Sequence, residues 1–106
     1  MNLTPEQLAD FDKDGYLFFP GLFSPEETKA LNAAVPELYS RREAYNVREK
    51  DSDAVRTNFA AHMYSEPFAK LARHPRMIKP VEDLLGEKLY MHQFKINGKM
   101  AFEGDV

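Results

Sequence analysis

Residues 89 to 98 read "LYMHQFKING", with Gln93, Lys95 and Asn97 at alternate positions. In an extended strand these three share a face with Leu89 and Met91, while Tyr90, His92, Phe94 and Ile96 share the other. Two amides and an ammonium, spread over about 13 Å of strand, are fixed donors. Facing a cavity, they suit a polar or anionic small molecule, with Leu89 and Met91 continuing the wall. Solvent is the plainer destination for such a face. The aromatic and aliphatic face is expected to pack beneath helices.

The three imidazoles are His62, His74 and His92. None has the His-x-x-x-His or His-x-Asp spacing that presents two metal ligands together. His74 precedes Pro75 and reads as a helix junction, and His92, on the apolar strand face, reads as a core histidine with a hydrogen-bond partner. The carboxylates have structural explanations as well: Glu26 and Glu27 open a helix, Glu82 and Asp83 lie on an exposed helix face, and Glu103 and Asp105 belong to the tail. No nucleophile elbow, phosphate-cradling glycine loop or dinucleotide fingerprint is present. The residues themselves therefore form no complete catalytic site and no metal site.

The elements that must position this strand are mostly helical. Thr4-Pro5-Glu6-Gln7 is a helix start, with Thr4 as cap, Pro5 at the first helical position and Gln7 closing a capping box, and Gly15 is its stop. The run "YLFFPG", residues 16 to 21, reads as a short buried strand ending in a turn. Ser24-Pro25-Glu26-Glu27 opens a second helix whose stripe is Ala30, Leu31, Ala34, Val35 and Leu38, with a kink or early end expected at Pro36. Residues 40 to 53 are dense in both charge signs and read as a solvated helix end and a loop. Ser65-Glu66-Pro67 opens a third helix, and His74-Pro75 a fourth that ends at Leu85-Gly86, with Pro80 inside it.

The chain has 106 residues, enough for one small domain, and its composition of 43% hydrophobic and 29% charged residues is that of a globular protein. A net charge of -3 with interspersed signs supplies no basic stripe, which argues against nucleic acid as a partner. There are no cysteines, so disulfides, thiolate metal sites and thiol nucleophiles are excluded. No signal-peptide pattern or membrane-spanning apolar run is present, and a cytoplasmic location is the default expectation.

The combination "LTPEQLADFDKDGYLFFPGLFSPEET", then "RTNFAAHMYSEPFAKLARHPRM", then "LLGEKLYMHQFKIN" resembles the phytanoyl-CoA dioxygenase superfamily of non-haem Fe(II), 2-oxoglutarate-dependent oxygenases, and especially its ectoine-hydroxylase-like branch. The resemblance spans nearly the whole chain. It implies an α+β fold in which N-terminal helices jacket the first strands of a double-stranded β-helix, a cupin-like jelly roll. Residues 1 to 86 would be the helical jacket, and residues 87 to 106 the barrel strand and tail of the same domain. In that branch the Gln of His-Gln and the Asn four residues later contact 2-oxoglutarate, and these match Gln93 and Asn97. A basic residue between them helps bind substrate; here it is Lys95 in place of Arg. A point charge replaces a planar fork, which argues against ectoine itself as the substrate.

The family holds iron through His-x-Asp and a distant His, and the first pair follows the segment matching "NGKMAFEGDV". The expectation is therefore an N-terminal portion lacking the iron ligands and the distal Arg that pairs with 2-oxoglutarate, inactive alone. Its partners in a complete enzyme would be 2-oxoglutarate, O2 and a small-molecule substrate, with self-association possible through an exposed strand edge. The competing reading is a non-catalytic domain of dioxygenase-like sequence that binds a protein partner, for which the terminal Glu103-Gly104-Asp105-Val106 could serve as a captured carboxyl end.

Overall fold

Two helix starts form as their sequences dictate. In the computed structural model, which describes residues 3 to 99, Thr4 Oγ1 accepts from the Gln7 amide at 3.1 Å while Gln7 Oε1 accepts from the Thr4 amide at 2.9 Å. The resulting helix α1 spans Pro5–Asp14 and stops at Gly15, whose φ of 82° is cheap only without a Cβ. Ser24 and Glu27 repeat the reciprocal pair at the start of α2, Pro25–Ser40.

Pro36 does not end α2, which continues to Ser40. The missing proline N–H removes one helical bond, and Leu38, 1% exposed, anchors the turn beyond it in the core. Leu38, Ala61 and Phe68 are the centre of that core, and Leu31, Val35, Leu71, Phe94 and Ile96 pack around them.

The segment from 40 to 53 is not simply a loop. Asn46–Arg48 forms strand β1, which pairs antiparallel with β2, Val55–Phe59. Side chains from β1 close the far end of α2, where no glycine follows to satisfy the last carbonyls. Asn46 Nδ2 donates to the carbonyls of Leu38 at 2.7 Å and Arg41 at 2.9 Å, and Arg48 donates to that of Tyr39 at 2.6 Å.

Val47 pairs with Thr57, but Arg48 pairs with Val55, so Arg56 is the extra residue of a bulge. The bulge changes the phase of β2, which is why Val55 and Asn58, three apart, are both buried. β2 leads through Ala60, an alanine at φ 61°, into a 3-10 turn at Ala61–Met63. That left-handed alanine costs roughly 1–2 kcal/mol. Its amide donates to the Phe94 carbonyl at 2.8 Å and so fixes the entry to the last strand.

Helices α3, Glu66–Ala72, and α4, Pro75–Leu85, follow. His74 caps α4 with Nδ1, which accepts from the Arg76 amide at 3.1 Å, and Gly86 stops it at φ 76°. Arg76 then ties α4 to the start of α2, donating to the Leu22 carbonyl at 2.6 Å and binding Glu27 through both nitrogens of its fork.

Strand β3 is only Lys95–Asn97, not the whole of residues 89 to 98. It pairs antiparallel with β2, giving a three-stranded sheet in the order β1-β2-β3. Residues 16 to 21 form no strand: Phe18 is 80% exposed and has no ladder partner among the described residues. An apolar run needs a sheet to join, and none of the described strands reaches it. The fold is thus α+β, with helices on one side of a small antiparallel sheet. The tail motif Glu103-Gly104-Asp105-Val106 lies outside the described residues.

Candidate functional site

The register of β2 and β3 decides which side chains share the open side of the sheet. Asn58 lies opposite Ile96, and both turn toward the helices, Asn58 fully buried and Ile96 against the core. Their neighbours therefore point the other way: Thr57 opposite Asn97, and Phe59 opposite Lys95. Gln93, Lys95 and Asn97 are all exposed, while Phe94 and Ile96 are half-buried. The alternation read from the sequence holds over residues 93 to 97.

It fails before residue 93. Tyr90 is 86% exposed and His92 is also exposed, so His92 is not a core histidine. Residues 89 to 94 have no strand pairing to hold them in phase with β3. They run along a groove of about 760 Å³ bordered by α3, α4 and the 3-10 turn. Gln93 and Lys95 both line that groove, with Leu89, Met91, Met77 and Ile78 among its apolar walls. Asn97 stays on the sheet face beyond it. The structure thus brings Gln93 and Lys95 to one groove, and Lys95 and Asn97 to one strand face.

His62 borders the same groove, its ring 5.0 Å from that of Phe94 and its Nδ1 buried without a hydrogen-bond partner. His74 is committed to its cap, Phe23 standing edge-on to its ring at 5.4 Å. Among the described residues no group of three His, Cys, Asp or Glu side chains could hold a metal ion. These residues do not fit an iron centre. The donor set of Gln93, Lys95 and Asn97 does fit a carboxylate ligand, since amide N–H groups and an ammonium are what carboxylate oxygens accept from.

Phe59 is the neighbour that reasoning from the sequence missed. Its ring is half exposed, and the Lys95 ammonium lies 5.5 Å from the ring centroid. A bulge and a buried asparagine disguise β2 as loop, so no period in the sequence reveals which way Phe59 points. Only "VRTNF", rich in residues that favour strands, hinted at it.

Electrostatic shifts gather away from this face. Glu27 is held at about 2, well below the ordinary 4.5, first by the side-chain hydrogen bond from Arg76 and then by the Ser24 amide. Asp53 is lowered by its hydrogen-bonded pairing with Arg42. Burial raises Tyr39. These groups support the helices and the hairpin.

Comparison with known proteins gives this face a context. The family described as Phytanoyl-CoA dioxygenase (PhyH) matches residues 11 to 105. The ectoine dioxygenase of Bordetella bronchiseptica is 36% identical over 108 aligned residues, covering 96% of this chain and 34% of the relative. That of Nocardia farcinica is also 36% identical, over 93% of this chain and 35% of the relative. The crystal structure of EctD from S. alaskensis with bound Fe superposes with a TM-score of 0.82 at 31% identity, covering 90% of this chain and 35% of that one. The same protein with 2-oxoglutarate and 5-hydroxyectoine gives 0.80. The chain spans about a third of the length of the curated relatives it matches. By the family match, which begins within α1 and takes in the later helices, the hairpin and the strand carrying Lys95 and Asn97, the chain belongs to the phytanoyl-CoA dioxygenase family.

Proposed function

We propose that this chain forms the N-terminal part of an Fe(II)- and 2-oxoglutarate-dependent dioxygenase that hydroxylates a small molecule. In this reading α1 to α4 are the outer jacket and the sheet is the start of a double-stranded β-helix within a single domain. Gln93 and Asn97 donate to 2-oxoglutarate, and Lys95 meets the substrate. The observation that carries it is the division of residues 93 to 97: three polar side chains exposed, two of them lining the groove, and two apolar ones packed on the core. The family match, and the 2-oxoglutarate and 5-hydroxyectoine bound in the related S. alaskensis structure, support the same reading.

The chain's own contribution is binding and orientation. Two amides cannot titrate in the working pH range, so their donors stay fixed in charge and number. The lysine adds a compact positive charge without the bidentate geometry of Arg. Phe94 and Ile96, packed beneath, hold the strand that presents all three. In the complete enzyme, iron held by residues outside this chain would supply the oxygen-activating chemistry, with O2 as the oxidant and 2-oxoglutarate as the co-substrate.

The test is a chimera in which this chain replaces the matching segment of the Bordetella bronchiseptica enzyme. Gln93→Ala should raise the KM for 2-oxoglutarate about tenfold or more, the scale of one hydrogen bond to a charged group, with a smaller change in substrate KM. An unchanged KM for 2-oxoglutarate removes Gln93 from the site.

A further inference from the structure

Phe59 is an aromatic residue outside the core cluster. Phe68 and Phe94 serve the core, their centroids 6.0 Å apart, whereas Phe59 lies on the opposite side of the sheet and stays 39% exposed. Its cross-strand partner is Lys95, and the ammonium stands 5.5 Å from its ring centroid. The pair extends a polar row, since Thr57 on the same strand lies opposite Asn97.

A lysine on an open face is a poor anion reader by itself. Its four-carbon stem carries about 2 kcal/mol of rotamer freedom that binding must remove. An aromatic face attracts the ammonium through its quadrupole and limits that freedom before any ligand arrives. It does so from one side only, leaving the other hydrogens of the ammonium to donate. We propose that Phe59 is the positioning residue for Lys95, holding its ammonium over β2 so that it receives the carboxylate of a small-molecule ligand. The inference rests on the assignment of Lys95 to the ligand face made above.

The experiment uses the 106-residue chain, isotope-labelled and titrated with 2-oxoglutarate as a carboxylate probe at constant ionic strength, with amide shifts followed by NMR. Wild type is compared with Lys95→Met, Phe59→Leu and Phe59→Tyr. The ring-current shift of the Lys95 side-chain protons reports the stacking directly, which a purely structural role for Phe59 would not couple to affinity. Phe59→Leu should abolish that shift and weaken binding about 2- to 5-fold, the range of an exposed cation–π contact, while Phe59→Tyr keeps both. If the leucine variant does not fold, fluorinated phenylalanine at position 59 weakens the ring's attraction at nearly constant shape, and affinity should fall with fluorination.

Weakening by Lys95→Met but none at Phe59 overturns the positioning role and leaves Lys95 in place. Wild-type affinity in Lys95→Met, or no amide shift on the β3 face, overturns both the positioning role and the assignment beneath it.

Discussion

Glu27 receives three donors: the Ser24 amide, its own helix-start partner, and both guanidinium nitrogens of Arg76. Arg76 also lies 4.7 Å from the Phe23 ring centroid, so one side chain joins the α2 start, the turn before it and α4. A carboxylate held at about 2 in the fold and near 4.5 when free binds fewer protons folded than unfolded between those values. Its contribution to stability is therefore complete above about pH 4.5 and is lost as the pH falls toward 2. Urea melts of wild type and Glu27→Gln should differ most at neutral pH and converge through that window. A difference that persists undiminished at pH 2 would show that the ionised carboxylate is not the source. The sequence showed Glu27 as a helix-start residue but not as the partner of Arg76, 49 positions away. On β3 and the residues leading into it, the alternation from Gln93 to Asn97 was legible because Phe94 and Ile96 supply the apolar half. His92 was misread because the same alternation was extended into residues that no neighbouring strand holds.

The helices were legible in their ends and the strands were not, for a common reason. A cap such as Thr4 with Gln7, or a stop such as Gly15 or Gly86, works through residues adjacent in sequence. β1 and β2 instead depend on buried asparagines and a bulge, which break the apolar period by which strands are recognised. Asn58, 0% exposed, donates to Asn46 Oδ1 at 2.7 Å, and Asn46 in turn closes α2. The Tyr64 hydroxyl lies 3.1 Å from Asn58 Oδ1 and 2.7 Å from the Phe59 carbonyl, extending the network to the end of β2. Removing one member leaves a buried acceptor unpaired, which costs more than the bond itself contributed. Asn58→Ala should lower the stability of the chain by about 2 kcal/mol, measured by urea unfolding, whereas Asn97→Ala on the exposed side should change it little. Equal small effects at both positions would mean that the amide network does not hold the hairpin to α2. The run 16 to 21 failed in the opposite direction: its composition suits a strand, but strand formation needs a neighbour that composition cannot provide.

At the scale of the molecule, the described fold covers only one side of its sheet. Its radius of gyration is 16.4 Å, against roughly 13 Å for a compact domain of this length. Phe18, Met63, Leu85 and Tyr90 are exposed apolar side chains distributed around it. β3 has β2 on one side and no strand on the other among the described residues, and it borders the apolar groove. The S. alaskensis enzyme, about three times as long, matches this arrangement at a TM-score near 0.8 in two structures, so a similar fold is kept there beside much more polypeptide. In the 106-residue chain alone, an edge that offers backbone donors and acceptors next to apolar surface favours pairing with another copy. Sedimentation should therefore show self-association that rises with concentration, accompanied by binding of a hydrophobic dye. Ile96→Pro would remove a β3 amide, but it would also disturb Ile96 in the core, so Asn97→Glu is the better probe. Added charge on a strand edge opposes association while the β2–β3 register remains. Reduced association with an intact amide spectrum would place the contact at β3. A monomer with one sharp, concentration-independent thermal transition and no dye binding would show that this surface is stable as it stands.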